Sequence, residues 1–469
     1  MDRIRCARRT AGRLIFLLLI ILSLTAFAVS CAPRPEFNIA ADDIPALSLH
    51  PDVDATANER VTSDLAFLTS EFCNGRQVGT SGATRSAQYV VDEFERIGLE
   101  PGYRNSYVQG FETKYRDQVT GSVRVLGANG EVAAHFDSPQ DLGVGYYSSP
   151  GSNVVKGTLT ALPSTDEGWR DLKRGSVIVA KNHQDDSSSI LNPASRYKAA
   201  AVLLSVPSIA KGPVGMGATR MSGVMPVFLI TEDCYNQLQE HIGKQVELQI
   251  DAESGQTVAG FNVVGILGNP NSEPTVIICA HRDTLGTGEG GYVPIQGGTD
   301  NASGTAGLLE IARILEARPE WKWATVFVSF DGEEIGLTGS KYFAASYPFN
   351  ESNLKLVVNL DCVAVTGCSE VEIYKTSKSD LALSVAEAIV EQLRAVSLEG
   401  IATEESYASD QRSFEAEGFA TLAIHSPVTA MRPHLHSPRD TIETVDASVL
   451  AALAQVVAEG LISTLGSGE

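Results

Sequence analysis

The chain has 469 residues, of which 43% are hydrophobic and 20% charged, a balance that fits a globular protein of roughly two or three domains and excludes both wholesale disorder and a polytopic membrane protein. Its 57 acidic residues against 36 basic ones give a net charge of −21. That charge excludes nucleic acid as a partner, because phosphate backbones require a basic footprint.

The chain opens with a basic cluster (Arg3, Arg5, Arg8, Arg9, Arg13) and an apolar run from Leu14 to Val29. The run is short for a spanning helix, and the small residues Ala28 and Ser30 follow the pattern of a secretory signal, so residues 1–30 are expected to direct export. Ala28-Val29-Ser30-Cys31 resembles a bacterial lipobox with Ala in place of the usual Leu, which makes Cys31 the expected lipidated first residue of an envelope lipoprotein. The alternatives are an ordinary cleaved signal, leaving a secreted or periplasmic protein, and an uncleaved anchor. A membrane contact is expected through this terminus alone. Cys73, Cys234, Cys279, Cys362 and Cys368 are too few for a disulfide scaffold. Cys362 and Cys368 flank a short turn and are read equally as a disulfide or as small buried thiols.

Residues 31–58, with Pro33, Pro35, Pro45 and Pro51, read as a polar tether. From Arg60 the spacing of Val61, Leu65, Phe67 and Leu68 predicts a helix, and a second is expected near Ser86 to Ile97, stopped by Gly98. The glycine-rich stretch Gly75 to Gly82 reads as a plain connector, since no strand precedes it as phosphate-cradling loops require. Residues 59–136 are assigned to the first part of one domain. Residues 137–253 are assigned to a separate β-rich insert, because short β-prone runs (Val154 to Leu162, Ser176 to Ala180, Ala201 to Val206, Val224 to Leu229, Gln245 to Ile250) alternate with Gly, Pro, Asp and Ser.

In residues 254–469 apolar strands alternate with helices: Asn262 to Leu267, Thr275 to Ala280, a helix near Thr305 to Ala317, Ala324 to Phe330, Leu354 to Leu360, and a helix near Asp380 to Val396. This alternation predicts an α/β fold with helices on both faces of a largely parallel sheet, whose functional crevice lies at the carboxyl ends of the strands. The residues at those strand ends are the informative ones. His281-Arg282-Asp283 comes directly after the second strand, Asp331-Gly332-Glu333-Glu334 after the third and Asp361 after the fourth. Gathering that much negative charge at one rim is costly unless a cation compensates it. Taken singly, Asp300 reads as a helix cap, Glu333 and Glu334 as acidic residues opening a helix, and His436 as a surface loop residue; their joint order points to a metal site.

The segments Ala280 to Asp283, Gly298 to Gly304, Phe330 to Ser340, Asn359 to Asp361 and His436 to Thr441, together with the amino-terminal Phe72 to Gly82 segment, resemble the M28 family of zinc exopeptidases, and residues 137–253 resemble the protease-associated (PA) domain often inserted in it. The resemblance implies a three-layer αβα fold around a mixed, largely parallel sheet, and an aminopeptidase acting on peptide substrates. It also implies two zinc ions, with cobalt or manganese as substitutes. Asp300 would bridge them, His281 and Asp361 completing one site and Glu334 and His436 the other. Asp283 would orient His281, Glu333 would be the general base, and the peptide after Asp300 would be cis. Two departures, Arg282-Asp283-Thr284 after His281 and Ser409-Asp410-Gln411 in the late loop, are expected to alter the substrate pocket. Tyr407 stands near the place of a tyrosine that stabilises the tetrahedral intermediate in relatives. His425 and His434 read as structural. The rival readings are glutaminyl cyclisation, carboxypeptidase or dipeptidase action (which Arg412, Arg432 and Arg439 keep open), and a non-catalytic binding protein.

Overall fold

A computed structural model describes residues 50–466 apart from 53–54, 115–117, 139, 148–150, 182–187, 206–218, 221–224, 254, 287–293, 376–378 and 404–407. The signal segment, Cys31 and Tyr407 lie outside the described residues. The body is built on two mixed sheets, each of nine strands among the described residues.

The first sheet carries the candidate site. Its strands are β1 (Val108–Lys114), β2 (Thr257–Leu267), β3 (Thr275–His281), β4 (Ala324–Phe330), β5 (Leu354–Leu360), β6 (Glu370–Lys375), β7 (Glu399–Thr403) and β8 (Thr421–His425). A two-residue strand, Glu100–Pro101, completes it. They run in the order β2-β4-β3-β5-β8-β6-β7, with β1 paired to β2. The central β4-β3-β5-β8 group is parallel, and antiparallel pairings flank it on both sides. Every residue of β3, β4 and β8 is buried, which is why these strands appear in the sequence as unbroken apolar runs rather than alternating ones.

Because successive side chains point to opposite faces, the same strands feed two cores. Val276, Ile278, Ala280, Leu356, Val358 and Leu360 pack against the helices α1 (Ala57–Leu68), α2 (Ser81–Ile97), α3 (Ser303–Glu316), α5 (Asp380–Ala395) and α7 (Ala447–Leu465). Ile277, Cys279, Val326, Val328 and Val357 pack on the other face, against Phe343 of α4 (Thr338–Ala345) and Phe414 of α6 (Gln411–Ala416). The result is the expected three layers. The amino-terminal helices are set by their ends: Thr56 and Glu59 form a reciprocal capping box on α1, Thr80 caps α2, and Gly98 ends it in the left-handed region at φ 93°. Helix α7 is apolar enough to cross a membrane by length and composition, but half of it is buried against the core.

The second sheet holds strands Val132–Asp137, Gln118–Leu126, Gln245–Glu253, Gly151–Ala161, Val177–Lys181, Ala201–Ser205, Val227–Ile230, Leu142–Tyr147 and Thr219–Arg220, in that spatial order. Residue 137, where the sequence pattern starts the β-rich insert, falls at the end of the hairpin Gln118–Leu126/Val132–Asp137, which already belongs to this sheet. The hairpin escapes the sequence pattern because its second strand is largely exposed, with Phe136 its one buried residue. Among the described residues no disulfide joins Cys73, Cys234, Cys279, Cys362 and Cys368. Cys362 and Cys368 pack with Val365 and Met431.

Candidate metal centre

The carboxyl ends of β3, β4 and β5, the turn before α3 and the loop after residue 430 converge on one rim. There the structure brings His281, Asp300 and Asp361 into one group of donors and Asp300, Glu334 and His436 into another, with the donor atoms of each group within 4.8 Å of one another. Asp300 belongs to both. Its Oδ1 lies 3.3 Å from His281 Nε2 and its Oδ2 lies 3.0 Å from His436 Nε2. Asp361 Oδ1 is 3.4 Å from His281 Nε2, and Glu334 Oε2 is 3.5 Å from His436 Nε2.

The donor chemistry fits divalent cations. Both ring nitrogens of His281 and Asp361 Oδ1 are buried without a hydrogen-bond partner among the described residues, an arrangement that folded proteins rarely leave unfilled. Imidazole nitrogen and carboxylate oxygen are the ligand types that suit zinc. The charges argue likewise. Burial pushes the Glu333 carboxyl well above its ordinary value, with Glu334 and Asp361 adding to the effect. Burial also pushes Asp410 up to about 7 and Asp440 up to about 6. Asp300 departs from this trend: burial opposes its ionisation, yet the two imidazoles beside it hold the carboxyl below the usual range.

Backbone geometry at the rim is held by side chains that the sequence does not single out. Asp440 accepts from the backbone N–H of Thr299 (2.7 Å) and of Asp300 (3.0 Å), so the loop bearing His436 grips the turn bearing Asp300. Asn301, joined to Asp300 by a cis peptide, donates to Leu360 O (2.9 Å) and accepts from Cys362 N (3.1 Å). It thereby brackets Asp361. The signal for both is spacing: Asn301 adjoins a candidate ligand, and Asp440 follows His436 by one turn.

Several expectations need correction. Glu333 and Glu334 do not open a helix; α4 begins at Thr338. Gly332 at φ 75° and Gly336 at φ 104° break the intervening backbone. The N–H groups of Glu333 and Glu334 point instead to the Asp283 carboxylate, at 3.1 and 3.2 Å. Asp283 also stands 3.6 Å from His281 Nδ1, within ion-pair distance of the ring it is expected to orient. Asp300 does not cap α3, whose N-cap is Ala302 with no side-chain bond. Arg282 does not line a pocket: it is fully buried, 3.2 Å from Asp331 and donating to Ser329 O, Phe330 O and Phe261 O. Gln411 is buried too and accepts from Asn359 at 3.1 Å.

His425 lies at the end of β8 against Ser426 O, and His434 Nε2 contacts Thr299 Oγ1 at 3.1 Å; neither belongs to a donor group. Arg412 is paired with Glu415 at 3.1 Å, while Arg432 and Arg439 are exposed.

Residues 262–461 match the model of Peptidase family M28. A probable leucine aminopeptidase of Arthroderma benhamiae is 30% identical over 207 residues, covering 42% of this chain and 55% of that protein. Aminopeptidase YwaD of Bacillus subtilis is 28% identical over 223 residues, 46% of each chain. The chain thus spans roughly half the length of these curated relatives. Among solved structures, BSAP, a zinc aminopeptidase from Bacillus subtilis, superposes with a TM-score of 0.63 at 20% identity, over 87% of this chain and 94% of that one. The Peptidase M28 precursor from Shewanella amazonensis gives 0.57 at 15% identity, over 88% and 94%. Both are likenesses of fold.

Proposed function

Because residues 262–461 carry a peptidase family M28 domain, we propose that the chain is an exported aminopeptidase that removes amino-terminal residues from peptides with the help of two zinc ions. The observation that carries this reading is the shared Asp300, whose two oxygens face separate imidazoles in two groups of donors, buried apart from the half-exposed His436. The names of the matched relatives, leucine aminopeptidases and an aminopeptidase, support the substrate class.

His281 and Asp361 would hold one ion, Glu334 and His436 the other, and Asp300 both; cobalt or manganese could take their place. Zinc so held polarises the scissile carbonyl and lowers the pKa of a water molecule. The remaining work belongs to Glu333. Its carboxylate accepts a proton from the attacking water and returns it to the departing amine nitrogen as the C–N bond breaks. The water oxygen ends on the acyl carbon, and the products are a free amino acid and a peptide shortened by one residue. Asp283, by holding the N–H groups of Glu333 and Glu334, keeps base and ligand in register on adjacent residues.

The surplus of carboxylates at the rim suits an ammonium group of the substrate and opposes a terminal carboxylate. That weighs against carboxypeptidase action, for which Arg412 is already engaged by Glu415. Residues 137–253, within the second sheet, are proposed as a PA-like insert. Lipidation at Cys31 is proposed as the anchor, to be read by intact mass of the native protein; an unacylated mature chain carrying Cys31 would rule it out.

The test of activity is a panel of aminoacyl p-nitroanilides, their N-acetylated forms and dipeptides, each with and without chelator. Release from free-amine substrates only, lost on chelation and restored by zinc, is expected. Undiminished turnover after chelation, or a requirement for a free carboxyl terminus, would overturn the reading.

A further inference from the structure

The glycine-rich connector between α1 and α2 carries a buried cation that the mechanism above does not use. Arg76 has no exposed surface, and the hydrogen-bond partners of its guanidinium are backbone carbonyls: Arg282 O at 2.5 Å from Nε, Gln296 O at 2.6 Å from Nη1, Gly297 O at 2.9 Å from Nη2, and Leu68 O, also from Nη1. Those carbonyls belong to three different segments. Leu68 ends α1, Arg282 stands between His281 and Asp283, and Gln296 and Gly297 lead into the turn that presents Asp300. The packing is close enough that a Cβ on Gly297 would meet Arg76 Nη2 at 2.9 Å, and one on Gly75 would meet Gly286 O at 1.9 Å.

A planar fork with five N–H donors is the side chain suited to such a junction, since it fixes several acceptors at set angles, whereas a lysine ammonium cannot. A buried cation without a carboxylate bonded to it also needs a long-range counterpart. The nearby carboxyl groups that favour it are Asp440, Asp283 and Asp300, the first two of which hold the rim loops by their own hydrogen bonds.

We propose that Arg76 is a positioning residue for the proposed reaction: it sets the His281 strand end and the Asp300 turn at the spacing their shared cation site requires, from a segment well over a hundred residues away in the chain. The inference rests on the two-zinc reading of the site. It assigns the glycine-rich connector to the catalytic apparatus, with Gly75 and Gly297 as the positions that let backbone and guanidinium meet.

The test uses the full chain with Arg76→Lys, which keeps the charge and loses the fork, and Arg76→Gln, which keeps part of the fork and loses the charge. Zinc affinity is titrated calorimetrically on the fraction that unfolds cooperatively, and kcat and KM are measured at saturating zinc. Arg76→Lys should weaken zinc binding about tenfold to a hundredfold, the range seen when groups that orient metal ligands are removed, and should lower kcat with KM little changed. A lower melting temperature with native zinc affinity and native kcat would make Arg76 a purely structural residue and overturn the proposal. A second measurement needs no variant. In hydrogen exchange of the native chain, zinc should slow amides in residues 73–80 together with those in 282–286 and 296–300, whereas a connector indifferent to zinc would overturn the coupling. Should the native chain take up no zinc at all, the reading of the site fails before Arg76 is reached.

Discussion

Two buried clusters of carboxylates lie in the same domain and are built in opposite ways. Where α1, α2 and α3 meet, Asp64, Glu93 and Glu310 are buried, and each has a guanidinium. Arg313 lies 2.7 Å from Asp64, 2.5 Å from Glu93 and 3.3 Å from Glu310, and Arg60 Nε donates to Glu310 at 2.9 Å. His50 adds a contact to Glu93 at 2.6 Å. At the rim of the sheet, Asp283, Asp300, Glu334, Asp361, Asp410 and Asp440 are equally buried, but the side chains grouped with Asp300, Glu334 and Asp361 are the imidazoles of His281 and His436, and both ring nitrogens of His281 and Asp361 Oδ1 have no hydrogen-bond partner among the described residues. The first cluster is neutralised by the chain itself. The second has no guanidinium in its donor groups, which is the arrangement the proposed metal site requires and a structural ion network does not.

The sharpest way to break this contrast is at the rim. Glu333→Gln should lower kcat by roughly 10²–10⁴, the range for loss of a general base, while zinc content by elemental analysis stays native. Glu334→Ala should lose zinc as well as rate. Equal zinc loss in both would mean that adjacent carboxylates do not divide the work, and near-native turnover in Glu333→Gln would remove the base from the mechanism.

At the helical cluster the expected effect is on stability alone. Arg313→Met strands Asp64 and Glu93, and removing one partner of a buried ion pair typically costs about 3–5 kcal/mol. Urea denaturation should show that loss both with zinc and with chelator. Were the variant to bind zinc more weakly in its folded state, the two clusters would be coupled and the distinction between them lost.

How much of this is open to sequence reading depends on burial. Strands β4 and β5 occur at the residues where the sequence predicts them, Ala324–Phe330 and Leu354–Leu360, because a parallel strand covered on both faces is an uninterrupted apolar run. The residues at the ends of such runs have to lie at the crevice, so His281, Glu334 and Asp361 are visible as a group. The hairpin at Gln118–Leu126 and the edge strand Glu399–Thr403, where no residue is buried, have no such pattern. Arg76 is hidden for another reason: in the sequence it is a charged residue among glycines, which describes an exposed loop, and only the tertiary fold shows that its donors are met by carbonyls from distant segments. The Glu333–Glu334 turn resembles a helix start because acidic residues before a helix suggest dipole complementation. The flanking glycines, which the structure places at positive φ, are the sign against it.

A smaller effect separates the clusters by pH. In chelator, burial pushes Asp331 up to about 6 and Asp410 up to about 7, so between their unfolded values and these the folded chain binds more protons than the unfolded one. Stability from these groups is therefore present at low pH and is lost as pH rises through about 6 to 7, by at most about 1.4 kcal/mol per pH unit for each proton. Burial pulls His281 and His436 down, yet the carboxylates around them leave both above their ordinary value, which acts in the same sense. At the helical cluster the two carboxylates differ: burial pushes Asp64 above its ordinary value, as at the rim, whereas burial opposes ionisation of Glu93 but His50 and Arg313 hold it below its ordinary value, so the contribution of Glu93 is lost only in stronger acid. Metal-free chain should thus gain stability from pH 8 to pH 5, and Asp410→Asn should flatten the rise. With zinc the trend should reverse, because binding displaces protons. A metal-free profile that is flat or rises with pH would mean the rim carboxylates are not held protonated.

The smallest effect sharpens the comparison most finely. Tyr89 donates to Asp64 Oδ1 at 2.7 Å and is stacked between Phe67, at 4.0 Å between centroids, and His50, at 4.9 Å. Tyr89→Phe keeps the ring and its stacking and removes one donor. A hydrogen bond to a charged group contributes about 1.5–3 kcal/mol, but Asp64 keeps its contact with Arg313, and the desolvation of the phenol is also removed, so the net loss should be about 1 kcal/mol. Zinc affinity and kcat should stay native. A double-mutant cycle with Asp64→Asn isolates the pair. A coupling near zero would mean that Arg313 alone satisfies Asp64, and a coupling well above 3 kcal/mol would mean that this cluster, like the rim, falls short of its own cations.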